Sequence, residues 1–95
     1  MKQIIWKYPL KTGSEVFVEM PAGATVLSLQ TQNETPCIWA AVDPDASKIK
    51  RRFVIYPTGL GMSEEDQHLH YIGTFLLLKG QFVGHVFTDR VEYPI

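Results

Sequence analysis

A two-residue hydrophobic rhythm runs through this chain almost from end to end, and it leaves little room for anything but strands. In "QIIWKYPL" (3–10), Ile4, Trp6 and Tyr8 alternate with Gln3 and Lys7. Side chains change face at every step along a strand, so this period marks a half-buried β-strand rather than a helix. "SEVFVEM" (14–20) sets Val16, Val18 and Met20 against Glu15 and Glu19, and leaves Phe17 on the acidic face in need of cover. "TVLSLQTQ" (25–32) separates Leu27 and Leu29 from Ser28, Gln30 and Gln32, while "RRFVIYP" (51–57) separates Phe53 and Ile55 from Arg52, Val54 and Tyr56. "CIWAAV" (37–42) is apolar on both faces, the pattern of a central, doubly covered strand. "KTG", "PAGA", "NETP" and "DPDASKIK" punctuate these runs as turns.

The last two apolar runs, "YIGTFLLL" and "QFVGHVFTD", are joined by Lys79-Gly80, a strong hairpin signal. The expectation is therefore an all-β chain of about seven short, mainly antiparallel strands in a sandwich or small barrel, with one or two short helical turns. Residues 1–95 form a single β domain in this reading, since a chain of this length has room for one core.

A two-residue turn at 79–80 predicts the pairs Leu78–Gln81, Leu76–Val83, Thr74–His85 and Ile72–Phe87. The opposite face then carries Tyr71, Gly73, Phe75, Leu77, Phe82, Gly84 and Val86, so both faces of the hairpin are apolar. One sandwich interior covers only one of them. The other must meet the segment 60–70 or a second copy, and a homo-oligomer is expected.

Charge narrows the partners. Nine Lys and Arg against ten Asp and Glu give a formal charge of −1, without the basic excess of a duplex nucleic-acid binder. No stretch approaches the roughly 18 apolar residues of a bilayer span, and the opening residues lack a signal-peptide run. The lone Cys37 makes no internal disulfide and suits a reducing compartment. A soluble intracellular domain is expected.

The stretch "PTGLGMSEEDQHLHYIGTF" (57–75) raises several chemistries. His68, His70 and His85 resemble a three-nitrogen zinc set. The hairpin register, however, puts His70 opposite Asp89, about 13 Å along the strand from the position facing His85 at roughly 3.3 Å per residue. No metal is expected. "PTGLG" lacks the Gly-Lys-Ser/Thr ending of a nucleotide loop, although Thr58, Gly59 and Gly61 can present backbone N–H groups to an anion. "SEEDQ" reads as a short helical turn with Ser63 as its cap. No serine sits in a nucleophile elbow, Cys37 reads as a buried thiol, and no acid pair stands out, so no enzyme and no cofactor are expected.

What remains suits binding. Lys48, Lys50, Arg51 and Arg52 lead into Phe53 and Tyr56, with Trp39 on the preceding strand. Guanidinium groups bond phosphates and aromatic faces stack on bases. The plainer alternative makes Lys48, Lys50 and Arg51 a solvated turn and Trp39 part of the core. His85, between Val83 and Phe87, is either a core histidine satisfied by Thr74 or a polar group on a pocket wall.

"IWKYPL", "MPAGA" with "LSLQTQ", "PCIWAAVDPDA", "RRFVIYPTG" and "YIGTF" with "HVF" occur in an order that resembles a family of small bacteriophage and prophage proteins known only as a domain of unknown function. The resemblance spans nearly the whole chain. It implies a phage product acting in the host bacterial cytoplasm or in a virion, and it brings no reaction or catalytic residues. Its motif positions are Trp6, Trp39, Asp43, Pro44, Arg52, Thr58, Gly59, Gly73, Thr74 and His85.

Together, residues, size and the implied origin lead to a non-enzymatic protein that sequesters a small nucleotide immune signal, a cyclic nucleotide or ADP-ribose derivative. Arg52 is the expected phosphate ligand, Tyr56 and Trp39 the stacking groups, Thr58 and Gly59 an anion-facing turn, and Thr74 and His85 neutral hydrogen-bonding groups. The alternative is a virion structural or assembly protein, or a direct inhibitor of a host protein.

Overall fold

The computed structural model describes residues 2–11 and 13–95. Seven strands follow the alternating runs: β1 (Ile4–Pro9), β2 (Glu15–Pro21), β3 (Thr25–Gln32), β4 (Thr35–Val42), β5 (Lys48–Pro57), β6 (His70–Leu77) and β7 (Phe82–Tyr93). The remaining regular structure is two 3-10 turns, at Glu65–His68 and Leu78–Gly80. The strands form two antiparallel sheets, ordered β1-β4-β3 and β2-β5-β7-β6. This is the expected all-β sandwich. Among the described residues no helix is long and apolar enough to cross a membrane.

The core is what the period-2 pattern requires except on β3, where a bulge between Val26 and Ser28 leaves Leu27 exposed although Leu29 is buried. Met20, Ile38, Ala40, Val42, Phe53 and Val86 are wholly buried between the sheets, each spaced by two from the next inward residue on its strand. Burying Phe53 alone contributes about 1.5–3 kcal/mol. β4 is the central strand of its sheet, with Ile38, Ala40 and Val42 on the core and Cys37, Trp39 and Ala41 on the alternate positions. The Cys37 thiol is nonetheless buried, its Sγ 3.5 Å from the Thr35 carbonyl.

Two turns tie the sheets together. Asn33 and Glu34 both have positive φ (51° and 61°), which gives the tight β3–β4 hairpin the twist its strands need. Glu34 Oε1 then accepts the Leu78 N–H at 2.8 Å, joining the tip of one hairpin to the tip of the other.

The β6–β7 hairpin pairs Leu76 with Val83 and Thr74 with His85, as the spacing predicts. Two details differ. The connection is the four residues Leu78–Gln81 closed by a Gln81 N–H to Leu78 carbonyl bond, with Leu78 and Lys79 at positive φ, rather than a two-residue turn. A bulge between Tyr71 and Gly73 also shifts the register, so Tyr71 faces Phe87 and His70 faces Thr88. One extra residue exchanges the faces that follow it. Ile72 therefore packs against the core, and Tyr71 lies beside Phe87 with ring centroids 5.5 Å apart. Phe17 finds its cover in Tyr93, edge-to-face at 5.4 Å.

Candidate functional site

Strand β5 sends its neighbouring arginines in opposite directions. Ile49, Arg51, Phe53 and Ile55 share the inward face, while Lys50, Arg52, Val54 and Tyr56 share the outward one. On the outside, Arg52 Nε meets Glu15 Oε2 at 2.6 Å, Nη1 meets Asp89 Oδ2 at 3.4 Å, and Nη2 lies 3.8 Å from Asp66 Oδ1. The Glu15 hydrogen bond leads in raising the pKa of this guanidinium above its usual value, with Asp89 adding to it. Burial pushes the Asp89 carboxyl up, but hydrogen bonds from Tyr93, the Val91 N–H and Arg52 outweigh it and hold the group below the ordinary aspartate range. Tyr56 donates to Asp66 at 2.5 Å and accepts the Ser63 N–H at 3.3 Å, which draws residues 60–66 over the sheet and encloses a cleft of about 730 Å³ beside Arg52 and Val54.

Arg51 has the opposite surroundings. Its residue is 7 % exposed, its Nη1 donates to the Ala24 carbonyl at 3.2 Å, and its buried Nε has no acceptor among the described residues. No described carboxylate forms an ion pair with it. A guanidinium stays charged under all physiological conditions, and an unpaired buried charge costs several kcal/mol.

The space beside Arg51 is a cleft of about 490 Å³ between the edge strands of the two sheets. β3 contributes Thr25 and Ser28, β6 contributes His70 and Tyr71, and the far end of β7 contributes Arg90 and Glu92. A break in the β5–β7 ladder builds this last wall. Arg51 pairs with Glu92 and Phe53 with Thr88, so Arg52 alone faces the three residues Asp89–Val91. Arg90 takes a positive φ of 65° at that bulge. Asp89 thereby stays outside with Arg52, while Arg90 reaches the cleft and sets its Nη2 at 2.9 Å and 3.1 Å from the two ring nitrogens of His70. The Gly23 N–H holds Glu92 Oε2 at 2.6 Å. The result is a concave site with cationic, hydroxyl and aromatic groups converging on it.

The residues singled out from the sequence fall into two places, the outer face of the four-stranded sheet and, for Trp39, the other sheet. Arg52 and Tyr56 do share a face and meet through Asp66. Trp39 does not join them. It lies between the buried Ile38 and Ala40, so it faces the outside of the other sheet, across the roughly 10 Å thickness of a sandwich. Thr58, Thr74 and His85 continue the outer face from Tyr56, which pairs with His85 across β5 and β7: His85 Nε2 is 2.7 Å from Thr58 Oγ1, its Nδ1 is 2.9 Å from Thr74 Oγ1, and that hydroxyl is 2.5 Å from Tyr71 OH. Gly59, at a φ of 92°, lets the chain turn away just after Thr58. This row supplies hydrogen-bonding groups and reaches the Arg51 cleft through Tyr71, which lines it.

Arg51 belongs to the basic cluster the sequence offers for binding, but it lies buried within β5 rather than in a solvated turn, and Arg90 and Glu92 are not among the binding residues expected from the sequence. That burial was findable, since Arg51 stands two before Phe53 and so shares its buried face. Arg90 and Glu92 carried no such signal, because the bulge that orients them breaks the alternation. His68 and His70 are exposed, and among the described residues no three His, Cys, Asp or Glu side chains gather as a metal-binding group.

No curated protein and no solved structure matches the chain. A family model matches residues 1–94, and the chain belongs to that family, described as a domain of unknown function (DUF7352).

Proposed function

We propose that this chain is a non-catalytic binding protein that takes up a small nucleotide in the cleft around Arg51. The observation that carries the reading is the buried Arg51 guanidinium, which lines an open cleft without a carboxylate partner. A phosphate entering there replaces the missing counter-charge, and Tyr71 at the rim offers a ring for a base. Arg52, expected from the sequence to hold the phosphate, already has three carboxylates around it and is the poorer cation for that task.

The finer form of the proposal is sequestration of a nucleotide immune signal by a phage-encoded protein in the host cytoplasm, with a cyclic nucleotide or ADP-ribose derivative as ligand. Calorimetry against cyclic dinucleotides, cyclic trinucleotides and cyclic ADP-ribose isomers tests it, with the ligand recovered intact after heating. Arg51→Met removes a buried charge-assisted contact, at a cost on the order of 2–5 kcal/mol, or at least about thirtyfold in affinity. If no phosphate-bearing ligand binds below about 10 μM at physiological salt, the proposal fails.

A second reading, assembly with further copies or with a virion or host protein, is favoured by the exposed apolar side chains Tyr71, Leu76 and Leu78 at the β6 edge. Light scattering at micromolar concentration distinguishes a multiple of 10.8 kDa from a monomer.

A further inference from the structure

We infer that the Arg51 cleft selects a singly charged phosphodiester over a phosphate monoester, an inference that rests on reading this cleft as the ligand site. The charged groups lining it are Arg51, Arg90 and Glu92, with His70 as a further titratable wall. The two guanidiniums against the one carboxylate leave one net positive charge. A phosphodiester carries one negative charge and balances it. A monoester carries about −1.5 to −2 at neutral pH, so close to a full unit of negative charge is left uncompensated in a partly desolvated site.

Glu92 makes the distinction sharper because it is held in place. The Gly23 N–H fixes its Oε2 at 2.6 Å, so the carboxylate stays at the cleft instead of swinging into solvent when a second negative charge arrives. The cations are fixed as well. Arg51 is anchored by the Ala24 carbonyl, and Arg90 lies against the His70 ring on the left-handed residue of the β7 bulge. Two fixed cations and one fixed anion recognise a phosphate whose other two oxygens are esterified. The hydroxyls of Thr25 and Ser28 line the same space and add hydrogen bonds without adding charge. Glu92 is then free, through its second oxygen, to accept a hydrogen bond from a ligand hydroxyl or amine.

The test compares a 3′,5′-cyclic mononucleotide with the 5′-monophosphate of the same nucleoside by calorimetry on the full chain at pH 7.5. The cyclic diester is expected to bind tighter by on the order of tenfold, the effect of one unbalanced charge at partly exposed distances. Glu92→Gln removes the opposing charge and should bring the two affinities together, chiefly by strengthening the monoester. Equal or tighter binding of the monoester to the unmodified protein overturns the inference and leaves the Arg51 cleft standing as an anion site. Binding of either nucleotide that Arg51→Met leaves unchanged, or binding of neither, overturns the cleft itself.

Discussion

Arg51 and Arg52 are consecutive in the chain, yet one is buried without a carboxylate partner and the other lies on the outer face with Glu15, Asp89 and Asp66 within 4 Å. The separation follows from strand geometry alone, because the side-chain period of two puts neighbours on opposite faces. Replacing the two should therefore move stability in opposite directions. Arg51→Met removes an unpaired buried charge and is expected to raise stability by on the order of 1–3 kcal/mol in the absence of ligand. Arg52→Met leaves three acids facing one another and is expected to lower it by about 1–2 kcal/mol. Thermal melts of both variants check the signs. A lower Tm for Arg51→Met would show that its charge is compensated after all.

Acid should weaken the fold through Asp89. Its folded pKa lies below the usual aspartate range. The unfolded group titrates near 3.9, so its contribution is complete above about pH 4 and is lost as the pH falls through the lower folded value. Asp89→Asn is expected to be less stable than the parent at pH 7, with the gap closing below about pH 4. Denaturant titrations across that range check this, and parallel curves for the two proteins would contradict it.

Gly84 is a packing requirement rather than a turn residue. A Cβ there would stand 2.5 Å from Cζ and 2.7 Å from Cε1 of the Phe75 ring, which is itself 4 % exposed. Gly84→Ala should cost about 1–3 kcal/mol as an overpacked core site. Adding Phe75→Leu to that variant should recover part of the loss, since it withdraws the ring the methyl group strikes. A denaturant midpoint for each single and double variant reads the coupling.

Tyr8 buries its hydroxyl without a partner among the described residues, and burial raises its pKa. Tyr8→Phe discards a desolvated donor that makes no bond. The expected result is unchanged stability or a gain of up to about 1–2 kcal/mol. A loss would reveal a bridging water.

The strand pattern was legible where inward positions repeat every second residue, as in Phe53 and Ile55, Val18 and Met20, and Ile38 and Ala40; on β3 the bulge that turns Leu27 outward was not. The β6–β7 pairing was legible as far as Gly73. Beyond it, the bulge at Ile72 exchanged the faces of Ile72 and Tyr71, and Gly73 beside it is the residue that hints at an irregular strand without saying which neighbour is inserted. The grouping of Arg52 with Tyr56 could be read from parity. Their separation from Trp39 could not, because it depends on which strands share a sheet, and β4 and β5 are consecutive in sequence but lie in different ones. The cleft itself is formed by four strands that meet only in the folded chain, and its wall at Arg90 depends on a break in the alternation rather than on its continuation.

The buried Cys37 gives the protein a built-in clock. It is the single thiol in the chain, and it sits on the central strand of the three-stranded sheet, 2 % exposed. A thiol reagent attacks the thiolate and needs access to the sulfur, so modification has to wait until β4 parts from its neighbours. The labelling rate therefore counts openings of one sheet while the proposed ligand occupies the edge of both. A ligand that slows labelling in proportion to its occupancy closes the two sheets as one cooperative unit, and one that leaves the rate untouched binds without engaging the opening motion of β4.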